Sequence, residues 1–155
     1  MWQHGIHSRR RPKRRVCTTD SRHHRPVASN LLQRDFSAAA PNEKWVGDIV
    51  GIWTDAGWLY LAALLDTYSR LIVGWAMSMY RDEALVTDAL RMALARRDLP
   101  AQTGLIQHTD RGSQYTADDY LALLKTKRIQ VSISGKGDPY DKAMMESFSA
   151  RCGPN

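Results

Sequence analysis

Between residues 44 and 79 three β-forming runs lie so close together that only an antiparallel meander can join them. Trp45 to Thr54 ends in the turn Asp55-Ala56-Gly57. Trp58 to Leu65 follows and ends in Asp66-Thr67-Tyr68-Ser69-Arg70, and Leu71 to Met79 is the third run, with Gly74 inside it. Links this short permit hairpins and exclude a parallel crossover, which needs a dozen residues or more. The middle run is so apolar that it is expected to be covered on both faces. Trp45, Trp53, Trp58 and Trp75 lie within these runs and are read as core rather than as base-stacking platforms.

Downstream the apolar period lengthens. Leu85/Val86, Ala89/Leu90 and Ala93/Leu94 recur at four-residue spacing behind Asp82, a side chain suited to an N-cap, and Pro100 lies just past the end. Leu105 to Thr109 reads as a short strand. Thr116 and Asp119 have capping-box spacing and are expected to open a helix to about Lys127. Ile129, Val131 and Ile133 alternate as a strand, and Asp141 begins a last short helix that Gly153-Pro154 stops. The expected class is α/β: a mixed sheet of three antiparallel strands followed by alternating helix and strand, with flanking helices.

Charge divides the chain. Residues 1–35 carry nine basic side chains (Arg9, Arg10, Arg11, Lys13, Arg14, Arg15, Arg22, Arg25 and Arg34) against Asp20 and Asp35, so the remainder of a chain of net charge +6 is nearly neutral. Residues 1–40 are read as a basic arm and linker, and 41–155 as the folded core. The arm suits a polyanion, since each neutralised phosphate releases counterions, or it is a solvated tail. Within the arm, Pro26 to Leu32 is read as an extended piece packing on the body. No apolar run approaches the roughly 20 residues of a membrane span, and the N-terminus lacks the apolar stretch of a secretory signal. Cys17 and Cys152 have no metal-site spacing and form no disulfide framework, so a reducing cytosol is the expected home.

Most acids sit in turns or at helix starts, but three stand in apolar company. Asp48 lies inside the first strand, Asp110 ends the strand before Arg111-Gly112-Ser113-Gln114-Tyr115, and Glu146 lies between Met145 and Phe148. A carboxylate so placed is costly unless paired or metal-bound. With Asp48 on a central strand and Asp110 at the end of a neighbour, Glu146 on a packed helix would complete a site for two Mg²⁺ or Mn²⁺ ions. The competing reading is a set of unrelated buried salt bridges to Arg70 or Arg111.

Several runs together carry a family likeness: Asn42-Glu43-Lys44-Trp45-Val46-Gly47-Asp48-Ile49, Gly57-Trp58-Leu59-Tyr60-Leu61, Leu65-Asp66-Thr67-Tyr68-Ser69-Arg70, Val73-Gly74-Trp75, His108 to Tyr115, Gly135-Lys136-Gly137 and Met145-Glu146-Ser147-Phe148. In this order they resemble insertion-sequence transposases with a retroviral-integrase-like DDE core. The 35 residues between Asp110 and Glu146 match the spacing of that signature. The resemblance implies an RNase H-like fold and Mg²⁺ or Mn²⁺ dependence. It further implies DNA strand nicking and strand transfer at element ends, a bacterial, nucleoid-associated location and a homo-oligomer at full length.

Around these acids the readings stay paired. Asp66 is expected to accept N–H groups of its own turn, ahead of a metal role. His108 either contacts phosphate, orients Asp110, or is a packed histidine. Arg111 and Gln114 stand where DNA backbone would pass. Gly112 supplies a permissive turn, and Lys136 is a phosphate contact or an ordinary exposed lysine. Against the resembling family, Lys142 stands where Asn is usual, one helical turn before Glu146, and is expected to weaken metal binding. Val50 replaces a polar residue. The chain is also expected to be a copy shortened at both ends. The alternative function is therefore a catalytically inert remnant that binds DNA or pairs with intact transposase; another RNase H-like nuclease is a third reading.

Overall fold

The computed structural model describes residues 28–100 and 103–135. Strands β1 (Lys44–Thr54), β2 (Gly57–Asp66) and β3 (Ile72–Ser78) form the meander, followed by helix α1 (Glu83–Arg96), strand β4 (Ile106–Thr109), helix α2 (Asp118–Thr126) and strand β5 (Gln130–Ile133). Their order across one five-stranded sheet is β3-β2-β1-β4-β5, which puts β1 in the centre. The hairpins β1–β2 and β2–β3 are antiparallel, whereas β1–β4 and β4–β5 are parallel. The sheet is mixed because the first connections are tight turns and the next two are helices. The last helix expected from Asp141 lies outside the described residues.

Both helices cover one face. Leu85, Val86, Ala89, Leu90 and Ala93 of α1 and Tyr120 and Leu124 of α2 pack on Trp45, Ile49, Ala62 and Leu64. Asp82 holds the start of α1 by accepting the Leu85 N–H at 3.1 Å. On the opposite face a smaller cluster joins Leu32 and Phe36 to Val46 and Ile106. The chain before β1 is tied there: Ser29 O accepts the Ile133 N–H, and the Leu31 N–H donates to Ser132 Oγ at 2.9 Å. No helix among the described residues is long and apolar enough to cross a membrane.

Three expectations are corrected. The middle strand is buried on both faces only from Ala62 to Asp66; its first half, Gly57 to Leu61, is partly open. Of the four tryptophans read as core, only Trp45 is buried, at 0% exposure, while Trp53, Trp58 and Trp75 are 59%, 37% and 40% exposed. Trp75 pairs with Ala63 in the covered half but alternates with Gly74, which faces α1, and so lies on the face away from that helix. For Trp53 and Trp58 the reason is length: β4 stops at Thr109, opposite Gly47, so the far ends of β1 and β2 project past the covered part of the sheet. There Trp53 and Trp58 pack edge to face at 5.3 Å, and Trp58 stacks on Tyr60. Finally, Thr116 is not the N-cap residue of α2. It closes a 3-10 turn over Ser113–Thr116 by donating to Ser113 O at 2.9 Å, and Ala117 takes the N-cap position.

Burial sets the expected cost of losing each ring. Trp45→Ala should cost about 3–5 kcal/mol, as full truncation of a buried aromatic does, and Trp53→Ala less than about 1 kcal/mol. Urea midpoints of the two variants check this, and equal shifts would contradict the burial described.

Candidate active site

Strand register brings two of the three acids together. The parallel pairing of β1 with β4 runs from Lys44 opposite Ile106 to Gly47 opposite Thr109, so the next pair in line is Asp48 and Asp110. Adjacent strands lie about 4.8 Å apart, and residues in register on parallel strands project to the same face. By strand alternation Asp48 lies on the face of Val46, and Asp110 directly follows the end of β4. Both acids are half-buried. Glu146 lies outside the described residues, as do Lys136, Lys142 and the arm residues Arg9, Arg10, Arg11, Lys13, Arg14 and Arg15. Among the described residues no group of three His, Cys, Asp or Glu side chains comes close enough to hold a metal.

Local bonds orient the pair. Asp48 Oδ1 accepts the N–H of Ile49 at 2.8 Å, and Asp110 Oδ1 accepts the N–H of Gly112 at 2.9 Å. A Cβ on Gly112 would lie 2.9 Å from both Asp110 Oδ1 and Gln114 Oε1, so a side chain there would crowd the turn that aims Asp110. Gln114 is itself buried and reaches across to the loop before α1, donating to the carbonyl of Arg81 at 3.2 Å. Arg111 is half-buried beside them.

Tyr115 reports the local charge. Its ring is buried against Tyr120, edge to face at 5.5 Å. Burial pushes its hydroxyl well above the usual tyrosine range; Asp110 and Asp48 push it further, and Arg81 pulls it back. One hydroxyl thus senses both carboxylates and a guanidinium. Neither Tyr115 nor Arg81 was singled out by the sequence pattern. The only signals were the place of Tyr115 at the end of the His108–Tyr115 run and of Arg81 directly before the N-cap.

Burial also raises the Tyr120 hydroxyl, which finds no hydrogen-bond partner among the described residues. With folded pKa values above the ordinary tyrosine value of about 10, both phenols keep their protons in the fold after the unfolded chain has lost them. Their contribution is fully present below pH 10. It declines as pH rises above that value toward the folded pKa values, by ~1.4 kcal/mol per pH unit for each tyrosine. Denaturation midpoints across this range should fall in the parent chain and flatten in Tyr115→Phe/Tyr120→Phe; an unchanged alkaline slope would refute the assignment.

His108 and Asp66 sit in packed surroundings. His108 is 2% exposed, lies edge-on to Phe36 at 5.8 Å, and shares a 2.8 Å hydrogen bond between Nδ1 and Ser132 Oγ. Asp66 is fully buried at the end of β2, where Oδ1 accepts the Tyr68 N–H at 3.2 Å and Oδ2 accepts the Ser69 hydroxyl at 2.8 Å. It pairs with Trp45, three residues from Asp48 along β1.

The residues in register fit a hard divalent cation by donor chemistry. Two carboxylates on rigid neighbouring strands, sharing one face, supply the oxygen ligands that Mg²⁺ and Mn²⁺ prefer.

Comparison with known proteins agrees with this architecture. Residues 38–139 match the model of the family described as the integrase core domain. The chain is 51% identical over 126 residues to the transposase InsF for insertion sequence IS3A of Escherichia coli (strain K12), covering 81% of this chain and 43% of that protein. It is 47% identical over 131 residues to an insertion element IS600 uncharacterized 31 kDa protein of Shigella sonnei, covering 84% and 47%. The chain therefore spans less than half the length of these relatives. Among solved structures, a chain of the simian T-cell lymphotropic virus intasome superposes with a TM-score of 0.63 at 17% identity, over 85% of this chain and 44% of that one. The HTLV-2 integrase catalytic core domain in complex with magnesium gives 0.55 at 16% identity, over 70% and 68%. At such identities the likeness shows the fold alone.

Proposed function

Because this chain belongs to the integrase core domain family, we propose that it carries the phosphoryl-transfer centre of a DNA transposase. The observation that carries the reading is the parallel β1–β4 ladder, whose last pair, Gly47 opposite Thr109, leaves Asp48 and Asp110 as the next residue along each chain. The naming of a relative as the transposase of an insertion sequence supports DNA as the substrate class; in this reading the full-length protein acts as a homo-oligomer on the ends of the element and the target, in the bacterial cytoplasm.

In this reading Asp48 and Asp110 hold the ions, and Glu146 supplies the third carboxylate. Divalent ions held by these carboxylates would supply Lewis-acid activation of the attacking water or 3′-hydroxyl and charge neutralisation at the leaving oxygen. The chain's own contribution is placement. The β1–β4 ladder fixes the backbone from which Asp48 and Asp110 continue, and the bond from Gly112 N–H to Asp110 Oδ1 holds the second carboxylate in position. Tyr115 is buried in the core beside the site. Arg111, beside Asp110, stands in line with the passing phosphodiester backbone, while Lys136 and Arg9 to Arg15 add non-specific grip on DNA. Asp66 and His108 support the site by packing.

Calorimetric titration of Mn²⁺ into the purified chain tests this directly. The parent should bind with a clear heat signal, and Asp48→Asn should lose at least about tenfold in affinity, roughly 1.4 kcal/mol. Equal binding by both would remove Asp48 from the site and the proposal with it.

A further inference from the structure

We propose that Arg81 is a DNA-contacting residue of this site, its guanidinium receiving a non-bridging oxygen of the phosphate that is brought to Asp48 and Asp110. The inference rests on the reading of those two acids given above and adds a residue to it.

Arg81 sits in the loop between β3 and α1, directly before the N-cap Asp82 and far in sequence from either acid. Three observations converge on it. Its Nε is buried and has no hydrogen-bond partner among the described residues. Gln114, four residues after Asp110, donates to its backbone carbonyl at 3.2 Å, which ties this loop to the turn that aims Asp110. The hydroxyl of Tyr115 feels the charge of Arg81 together with those of Asp110 and Asp48, so all three groups lie in the neighbourhood of one buried ring.

A guanidinium N–H withdrawn from water and left unsatisfied is expensive, and the cost is tolerated where a ligand will complete the bond. An anion is the ligand that fits. The guanidinium presents parallel donors matched to two oxygens of one phosphate, and it stays charged at any working pH. Metal ions cannot compete for it. A phosphate held between the carboxylate-bound ions on one side and Arg81 on the other would be fixed in orientation as well as position.

The test uses the full chain, a 30-base-pair duplex and Mn²⁺, with Arg81→Gln, Arg81→Lys and, as a control for simple loss of charge, Arg91→Gln. Arg91 lies on the exposed side of α1, paired with Asp88. The bond from Gln114 goes to the Arg81 backbone, so side-chain replacement leaves it standing, and thermal melting verifies each fold. For Arg81→Gln the salt dependence of duplex binding should weaken by about 0.9 in the slope of log K against log salt, one phosphate contact. Mn²⁺ affinity should stay within twofold, and nicking should fall at least 50-fold. Arg81→Lys should restore the salt slope and recover part of the nicking. Arg91→Gln should match the parent. A parental salt slope in Arg81→Gln overturns the proposal, as does an equal drop in Arg91→Gln. If the parent binds no Mn²⁺, the metal reading fails, yet the salt slope still decides whether Arg81 touches DNA.

Discussion

Asp110→Asn should lower Mn²⁺-dependent nicking of supercoiled plasmid by at least about 10³-fold, close to 4 kcal/mol of transition-state stabilisation, without unfolding the chain. The amide is nearly the same shape as the carboxylate and still offers an oxygen to the Gly112 N–H, so the turn of Asp110 survives. Only the charge is lost, and a neutral oxygen is a poor ligand for a hard cation. Asp66→Ala makes the converse case. Asp66 is fully buried and satisfies the Tyr68 N–H and the Ser69 hydroxyl, so its removal should cost about 2 kcal/mol of stability. Its nicking rate per folded molecule should stay within a few-fold of the parent. Rates and melting curves measured side by side separate the two acids. Asp110→Asn retaining nicking within tenfold would remove Asp110 from the chemistry, and Asp66→Ala with unchanged stability would remove Asp66 from its bracing role.

The sequence shows the meander and the central place of β1, because each rests on local signals. Short turns dictate hairpins, and a strand that ends in an acid next to a central strand dictates proximity. What it hid depends on strand overhang. Trp53 and Trp58 have the composition of core residues, but whether a ring is covered depends on how far the neighbouring strand and helix extend, and no window of residues around Trp53 records that β4 stops opposite Gly47. Thr116 misled for a related reason. Its spacing from Asp119 fits a capping box, yet the preceding Ser113–Thr116 turn uses its hydroxyl first. Arg81 was silent because its meaning comes from residues more than thirty positions away.

Gly74→Ala should be among the most destabilising single-methyl additions in the chain, costing about 3 kcal/mol or more. Gly74 lies in β3 where α1 crosses closest: a Cβ there would fall 2.3 Å from the carbonyl oxygen of Ala89, 2.6 Å from the nitrogen of Ala93 and 2.7 Å from the Ala93 Cβ. Two of those three neighbours are backbone, so no rotamer change relieves the contact, and the helix itself would have to lift off the sheet. Such a shift would open the packing of Leu90, which is fully buried between α1 and the strands. The double variant Gly74→Ala/Ala93→Gly distinguishes this from ordinary side-chain crowding. It deletes the Ala93 methyl but leaves both backbone contacts, and it adds a helix glycine worth up to about 1 kcal/mol against stability. Rescue should therefore fail, with a urea midpoint no higher than that of Gly74→Ala alone. A midpoint returning to the parental value would show that the methyl of Ala93, not the backbone of α1, sets how closely the helix can approach.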